Sequence, residues 1–287
     1  MKVSAAGCVA AGLAAITALL LAPASVEARG VQSLEELSAD ALYAEYYERY
    51  CELFPTVAME DGERGIDAVE VAIDPAHRDA QRTLHTEFLE AALALANDPE
   101  QAEAVASLEY ALFLDQRASA LRELSRPDHL MPINHFHGLW LFYSQLAAGD
   151  SYAPFETVED YDAFLETASD LEDWVAAAIA NMRAGVERGL VPPKLTVRLA
   201  LAQIEGMLSD DPTATPFWGA IRVLPPEIDG AQRERLTEAW REAVAEVLVP
   251  AYRRLAAFLQ DDYLDRCRDS LGWSALPDGE AWYAELV

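Results

Sequence analysis

Two imidazoles and an amide crowd into the stretch Met131-Pro132-Ile133-Asn134-His135-Phe136-His137-Gly138, the densest local concentration of chemistry in the chain. A His-x-His pair can supply two ligands to a metal ion, but a zinc site needs a third, and the sequence identifies none. Pro132 and Gly138 bracket the segment as a turn that feeds an aromatic helix carrying Trp140, Phe142 and Tyr143. The turn therefore reads first as the polar lining of a cleft, with a purely structural turn and a metal pair as the other readings. The remaining histidines are His77, His85 and His129. No H-E-x-x-H occurs, so the spacing that sets two imidazoles and a glutamate base on one helix face is missing. His85-Thr86-Glu87 gives H-x-E without the P-C-x-x-C of a zinc deaminase. His77 and His85 fall on roughly one face of an expected helix and read as exposed polar positions. There is no G-x-S-x-G, phosphate-binding loop or dinucleotide fingerprint. Carboxylates are so abundant that no acid/base pair can be singled out. No catalytic residue is nominated.

The elements that must position this turn are helices. Between Thr157 and Leu190 apolar residues recur at Tyr161, Phe164, Leu165, Ala168, Leu171, Trp174, Val175, Ala178, Ile179, Met182 and Val186, a helical stripe with acids opposite. Thr157 and Asp160 form a capping-box pattern, and Gly189 with Pro192-Pro193 ends the run. A second stripe runs from Leu236 to Leu259 through Trp240, Val244, Leu248, Tyr252 and Leu255. Pro250 interrupts it and predicts a kink. Further helices are expected at 39–53, 77–96, 100–124, 138–146 and 194–208. Only Val69 to Ile73 alternates like a strand, and weakly. The fold class is all-α.

The formal net charge of −28 excludes nucleic acid as a partner, because nothing would neutralise its phosphates. Lys2 and an Ala/Leu-rich stretch from about Ala5 to Ala22, followed by Val26-Glu27-Ala28, have the form of a signal peptide cleaved after Ala28. Cys8 lies too early for a lipoprotein box. The expected organisation is a leader at 1–28 and one helical region at 29–287, secreted or periplasmic, with no stable membrane span after cleavage. The mature chain keeps Cys51 and Cys267, which could pair or remain buried thiols.

At Met182-x-x-Gly185-x-x-x-Gly189-x-x-Pro192-Pro193 the chain resembles the DUF885 family. Other segments agree in order. They are Pro55-x-x-Ala58-x-x-x-Gly62 with Asp67 after it, Pro132-x-Asn134-His135-x-x-Gly138, Val158-Glu159-Asp160-Tyr161, Pro250-Ala251-Tyr252-x-x-Leu255, and Leu276-Pro277-x-Gly279-x-x-Trp282-Tyr283. His135 stands where the family more usually has glutamine. DUF885 proteins are mostly helical, often secreted, and regarded as zinc metallopeptidases of the gluzincin type. The resemblance implies a multi-helix array forming one half of a larger metallopeptidase-like fold. It also implies that the zinc, its ligands and its glutamate base belong to a C-terminal half beyond Val287, where an apolar helical run is still in progress. No metal or cofactor is therefore expected in this chain. On the same resemblance Asn134, His135 and His137 line a substrate cleft. The implied protein is the N-terminal part of a secreted zinc metallopeptidase, inactive alone, with a peptide substrate or a separate C-terminal half as partner. The alternatives are a non-enzymatic helical protein that binds peptides or partners, and one chain of a split peptidase.

Overall fold

A computed structural model describes residues 33–62, 65 and 68–286. The leader at 1–28, with Cys8, and Asp67 lie outside the described residues. The helices are α1 (Ala39–Leu53), α2 (Pro55–Glu60), α3 (Pro75–Leu95), α4 (Ala102–Val105), α5 (Leu108–Ser125) and α6 (Leu139–Ala148). They continue as α7 (Val158–Glu166), α8 (Ala168–Glu187), α9 (Lys194–Met207), α10 (Gly230–Ala243), α11 (Val249–Phe258) and α12 (Gly279–Leu286). Among the described residues there is no strand, only an isolated bridge between Pro193 and Arg268. The segment 69–73 is pinned by side chains instead. Asp170 accepts from the Val69 N–H, while Asn181 and Gln81 donate to the carbonyls of Ile73 and Ala72.

Two expected helices are each divided, for local reasons. The run from Thr157 opens with the capping box in place, but breaks at Thr167 between α7 and α8. The buried Thr167 hydroxyl donates to the Phe164 carbonyl at 2.8 Å and lies 3.1 Å from the Tyr143 hydroxyl. A threonine that bonds back into its own turn competes with the helical ladder. The run expected at 100–124 breaks at Ser107, whose hydroxyl accepts the Tyr110 N–H and starts α5 afresh.

Pro250 is absorbed by hydrogen bonding rather than by a break. Val244–Leu248 forms a π-helical turn in which the Val249 N–H reaches the Val244 carbonyl, and α11 then starts with Pro250 in its first turn. Proline's missing donor is harmless at a helix start. A second π-helical turn, Leu259–Tyr263, follows α11.

Apolar stripes build two cores. The larger joins α6 to α11 around Trp140, Tyr143, Phe164, Trp174, Trp240 and Tyr252, all buried. Phe164 and Trp240 stack at 4.4 Å, and the Trp240 indole donates to the Phe217 carbonyl. Such a pair adds about 0.5–1.5 kcal/mol beyond burial. The smaller core joins α1, α3 and α5 through Leu42, Tyr46, Leu84, Phe88, Ala92 and Phe113. Cys267 belongs to the larger core and donates to the Tyr263 carbonyl, while Cys51 is buried on α1, so no disulfide links the two.

The family-like motifs have visible work. Gly189, at φ +71°, lets α8 end in a Schellman turn, with Leu190 N–H on the Gly185 carbonyl and Gly189 N–H on the Val186 carbonyl. Beyond it, Pro192 accepts the Arg268 N–H and the Arg268 carbonyl accepts the Lys194 N–H, which ties the two prolines to the C-terminal segment. The buried Tyr252 hydroxyl donates to the Trp140 carbonyl, holding α11 on α6 beside the His-x-His turn.

Candidate functional site

Between the two cores lies a cavity of 1690 Å³. Aromatic side chains recur along its walls. Tyr43, Tyr46, Tyr47 and Tyr50 come from α1, Phe142 from α6, Trp174 from α8, and Trp273 and Trp282 from the C-terminal segment. The tyrosines stand there because successive turns of α1 present residues 43, 46, 47 and 50 on one side of the helix. A concave site that sets aromatic faces among polar and charged side chains suits an extended organic ligand with both apolar and polar parts.

The turn singled out by sequence forms part of this wall. Asn134 and His137 line the cavity, and His135 is not among the lining residues. Asn134 Oδ1 accepts the Phe136 N–H at 2.8 Å, and Asn134 Nδ2 lies 3.3 Å from His137 Nε2. The His135 ring instead packs against Phe136 at 4.1 Å, and its carbonyl accepts from Gln203. The two imidazoles of the His-x-His pair thus have different surroundings. Among the described residues no group of three or more His, Cys, Asp or Glu side chains is arranged to hold a metal ion. The donor set present does not fit a gluzincin-type zinc.

Sequence reasoning missed the polar groups on the opposite wall. His85 is 6% exposed and buried in the smaller core, and His77 is half-buried against Phe54, so neither is an exposed polar position as expected. The burying face of α3 runs through Gln81, Leu84, His85 and Phe88, which puts His85 in register with the core. Arg117 occupies the same stripe of α5 as Tyr110 and Phe113. Its guanidinium lies 3.7 Å from the centre of the Tyr46 ring and 4.8 Å from that of Phe113. Burial, and then the Arg117 charge, push His85 down to about 4, so its imidazole is neutral near pH 7. A charged residue inside an apolar helical stripe was the available signal, and it was legible at Arg117.

Acids also line the cavity, and partial burial works against the charge of one of them. Burial raises the Glu70 carboxyl, opposed by its bonds from the Thr56 hydroxyl and N–H at the start of α2. The Asp61 carboxylate accepts the Tyr47 hydroxyl at 2.8 Å. Also on the cavity wall, Arg78 spans the end of α5 by donating to the Leu124 and Arg126 carbonyls, and His129 is held down to about 4 by burial and by Arg78.

The fold and cleft define the class as an all-α protein, a helical array around a large cleft with aromatic faces. Residues 55–287 match the family described as "Bacterial protein of unknown function (DUF885)", and the chain belongs to that family. Comparison with curated proteins returned no match. Among solved structures, a protein of Colwellia psychrerythraea, provisionally described as a lipoprotein, is similar in fold at a TM-score of 0.68 and 16% identity. The alignment covers 85% of this chain and 44% of that one, so the chain spans less than half the length of the solved relative. Among the described residues no helix is long and apolar enough to cross a membrane.

Proposed function

We propose that this chain forms the peptide-binding wall of a secreted DUF885-type zinc metallopeptidase, with the zinc and its glutamate base supplied by sequence outside this chain. The observation that carries the reading is the 1690 Å³ aromatic cavity, with Asn134 and His137 on one wall and Gln81, His85 and Arg117 on the other. Aromatic faces take up apolar side chains, while the polar groups between them fix the register of a peptide backbone. The 44% coverage of the longer solved relative supports a larger assembly around the same helical array. The chain's own part is binding and orientation.

Trp174, Trp273 and Trp282 at the cavity supply the assay. Short aromatic peptides should change the intrinsic fluorescence of the purified chain saturably, and zinc should bring no hydrolysis. Chelator-sensitive hydrolysis by this chain alone would overturn the assignment of zinc chemistry to other sequence. Absence of any peptide binding would overturn the binding role.

A further inference from the structure

Among the described residues only six polar or charged side chains are buried, and three of them, Gln81, His85 and Arg117, share one wall of the cleft. Arg117 is 7% exposed. Its Nε is buried with no hydrogen-bond partner, and among the described residues no carboxylate forms an ion pair with it. This is a strange place for an unpaired cation in a chain with 49 acidic and 21 basic residues. A buried charge without a counter-charge is destabilising, and an apolar residue in the α5 stripe would pack there more easily. The aromatic faces of Tyr46 and Phe113 compensate it only in part.

His85, behind the same wall, has Nδ1 buried without a partner. The Gln81 amide nitrogen is anchored on the Ala72 carbonyl, 3.3 Å away. Burial and the neighbouring guanidinium keep His85 neutral, so it can donate one N–H without adding charge. A planar guanidinium held by aromatic rings, with an imidazole beside it, matches a planar monoanion. The acids lining the cavity, Glu60, Asp61, Glu70, Glu109, Glu123 and Asp128, oppose a multiply charged anion such as phosphate more strongly than a monoanion.

We propose that Arg117, assisted by His85, is a carboxylate-recognition subsite in the cleft, receiving either the C-terminal carboxylate of a peptide or an acidic side chain. The peptide form of this ligand rests on the binding role proposed above. The carboxylate chemistry does not, and can be tested separately.

The groups facing His85 and Arg117 are Gln81 on the same helix as His85, and Tyr46 and Tyr50 on α1, none of which ionises near neutrality. Acetate titration followed by NMR of the His85 ring should therefore raise its pKa, and Arg117→Met should abolish that response. No response to acetate in the wild type overturns the subsite, whatever peptides do. For the peptide form, Ala-Ala-Phe-Ala is compared as free acid and C-terminal amide, alongside the amide of Ala-Ala-Phe-Glu. Loss of a charge-assisted bidentate contact should weaken binding by about 10- to 100-fold. A free-acid preference identifies the chain terminus as the source, and recovery in the glutamate amide identifies a side chain. Arg117→Met should bind the alanine acid and amide equally, and Arg117→Lys should restore part of the discrimination. Equal binding of all three peptides by the wild type, or discrimination that survives in Arg117→Met, overturns the peptide form. Failure of every peptide to bind, with the acetate response intact, overturns the peptide-binding role and leaves the carboxylate subsite standing. Arg117→Met should melt at or above the wild-type temperature, which separates lost recognition from lost folding.

Discussion

Replacing Gly185 by alanine should destabilise the protein although it removes a glycine from a helix. Alanine is ordinarily better than glycine inside a helix by about 0.5–1 kcal/mol. At Gly185, however, an added Cβ would sit 2.6 Å from the Leu190 carbonyl oxygen and 2.7 Å from that of Leu130. Both are backbone atoms, and neither can swing aside like the tip of a side chain. Leu190 also donates its N–H to the Gly185 carbonyl, so displacing it loosens the turn that ends α8. Overpacking of this kind costs about 1–3 kcal/mol, and one weakened backbone bond adds about 1 kcal/mol. After the helical gain is subtracted, a net loss of about 1–3 kcal/mol remains. At ~2–4 °C per kcal/mol for a chain of this size, the melting temperature should fall by about 2–12 °C. Gly206 near the end of α9 is the control, because a Cβ there meets nothing within 4 Å. Gly206→Ala should raise stability by about 0.4–1 kcal/mol. Urea unfolding of the two variants and the wild type, followed by circular dichroism, gives both signs in one experiment. A Gly185→Ala protein as stable as wild type would refute the close-approach reasoning.

Three further outcomes follow from the same geometry. Because the folded-state pKa of His85 lies below its unfolded value of 6.5, its contribution is complete above pH 6.5 and is lost as pH falls toward 4. The stability difference between wild type and His85→Gln should thus shrink over that window in pH-dependent urea melts, and a constant difference would disprove a buried neutral imidazole. Tyr252→Phe removes one of two hydrogen bonds to the Trp140 carbonyl, which keeps its partner within α6, and should cost about 0.5–1.5 kcal/mol, measured by the urea midpoint at unchanged slope. Gly279→Ala would set a Cβ 1.8 Å from the Trp273 carbonyl oxygen, so it should unseat the turn carrying Trp273 and Trp282. A shifted tryptophan emission with little loss of far-ultraviolet helicity is the expected signature, and an unchanged spectrum would contradict it.

The helical class and most element positions were legible because amphipathic stripes are long and their stops are explicit. Thr157 with Asp160, and Gly189 before Pro192, marked the ends of real elements. The internal breaks at Ser107 and Thr167 were not legible. A single hydroxyl decides them by choosing between solvent, a cap and its own preceding turn, and that choice depends on tertiary neighbours such as Tyr143. The cleft was partly legible. Asn134 and His137 stood out as a compact polar turn, whereas His85 was hidden by its type, since an imidazole on a helix looks the same whether its face is buried or wet. Arg117 could have been found from periodicity, as a cation at a position where Tyr110 and Phe113 announce the core.

The two π-helical turns on either side of α11 have a consequence for alignment and engineering. A buried edge there steps by four through Leu236, Trp240, Val244, Leu248 and Tyr252, by three to Leu255, and by four again through Leu259, Tyr263 and Cys267. In a uniform α-helix each step of four drifts by ~40°, so by Cys267 the apolar edge would have moved more than halfway around the rod. The wider turns at Val244–Leu248 and Leu259–Tyr263 slow that precession and keep the edge facing one neighbour. Removing one residue from either turn would let it close as a regular α turn with the downstream phase nearly kept, whereas removing one from the α-helical stretches would swing everything downstream by ~100°. The two wide turns are thus the places where this segment can lose a residue, while elsewhere it accepts exchange among side chains but no change in length.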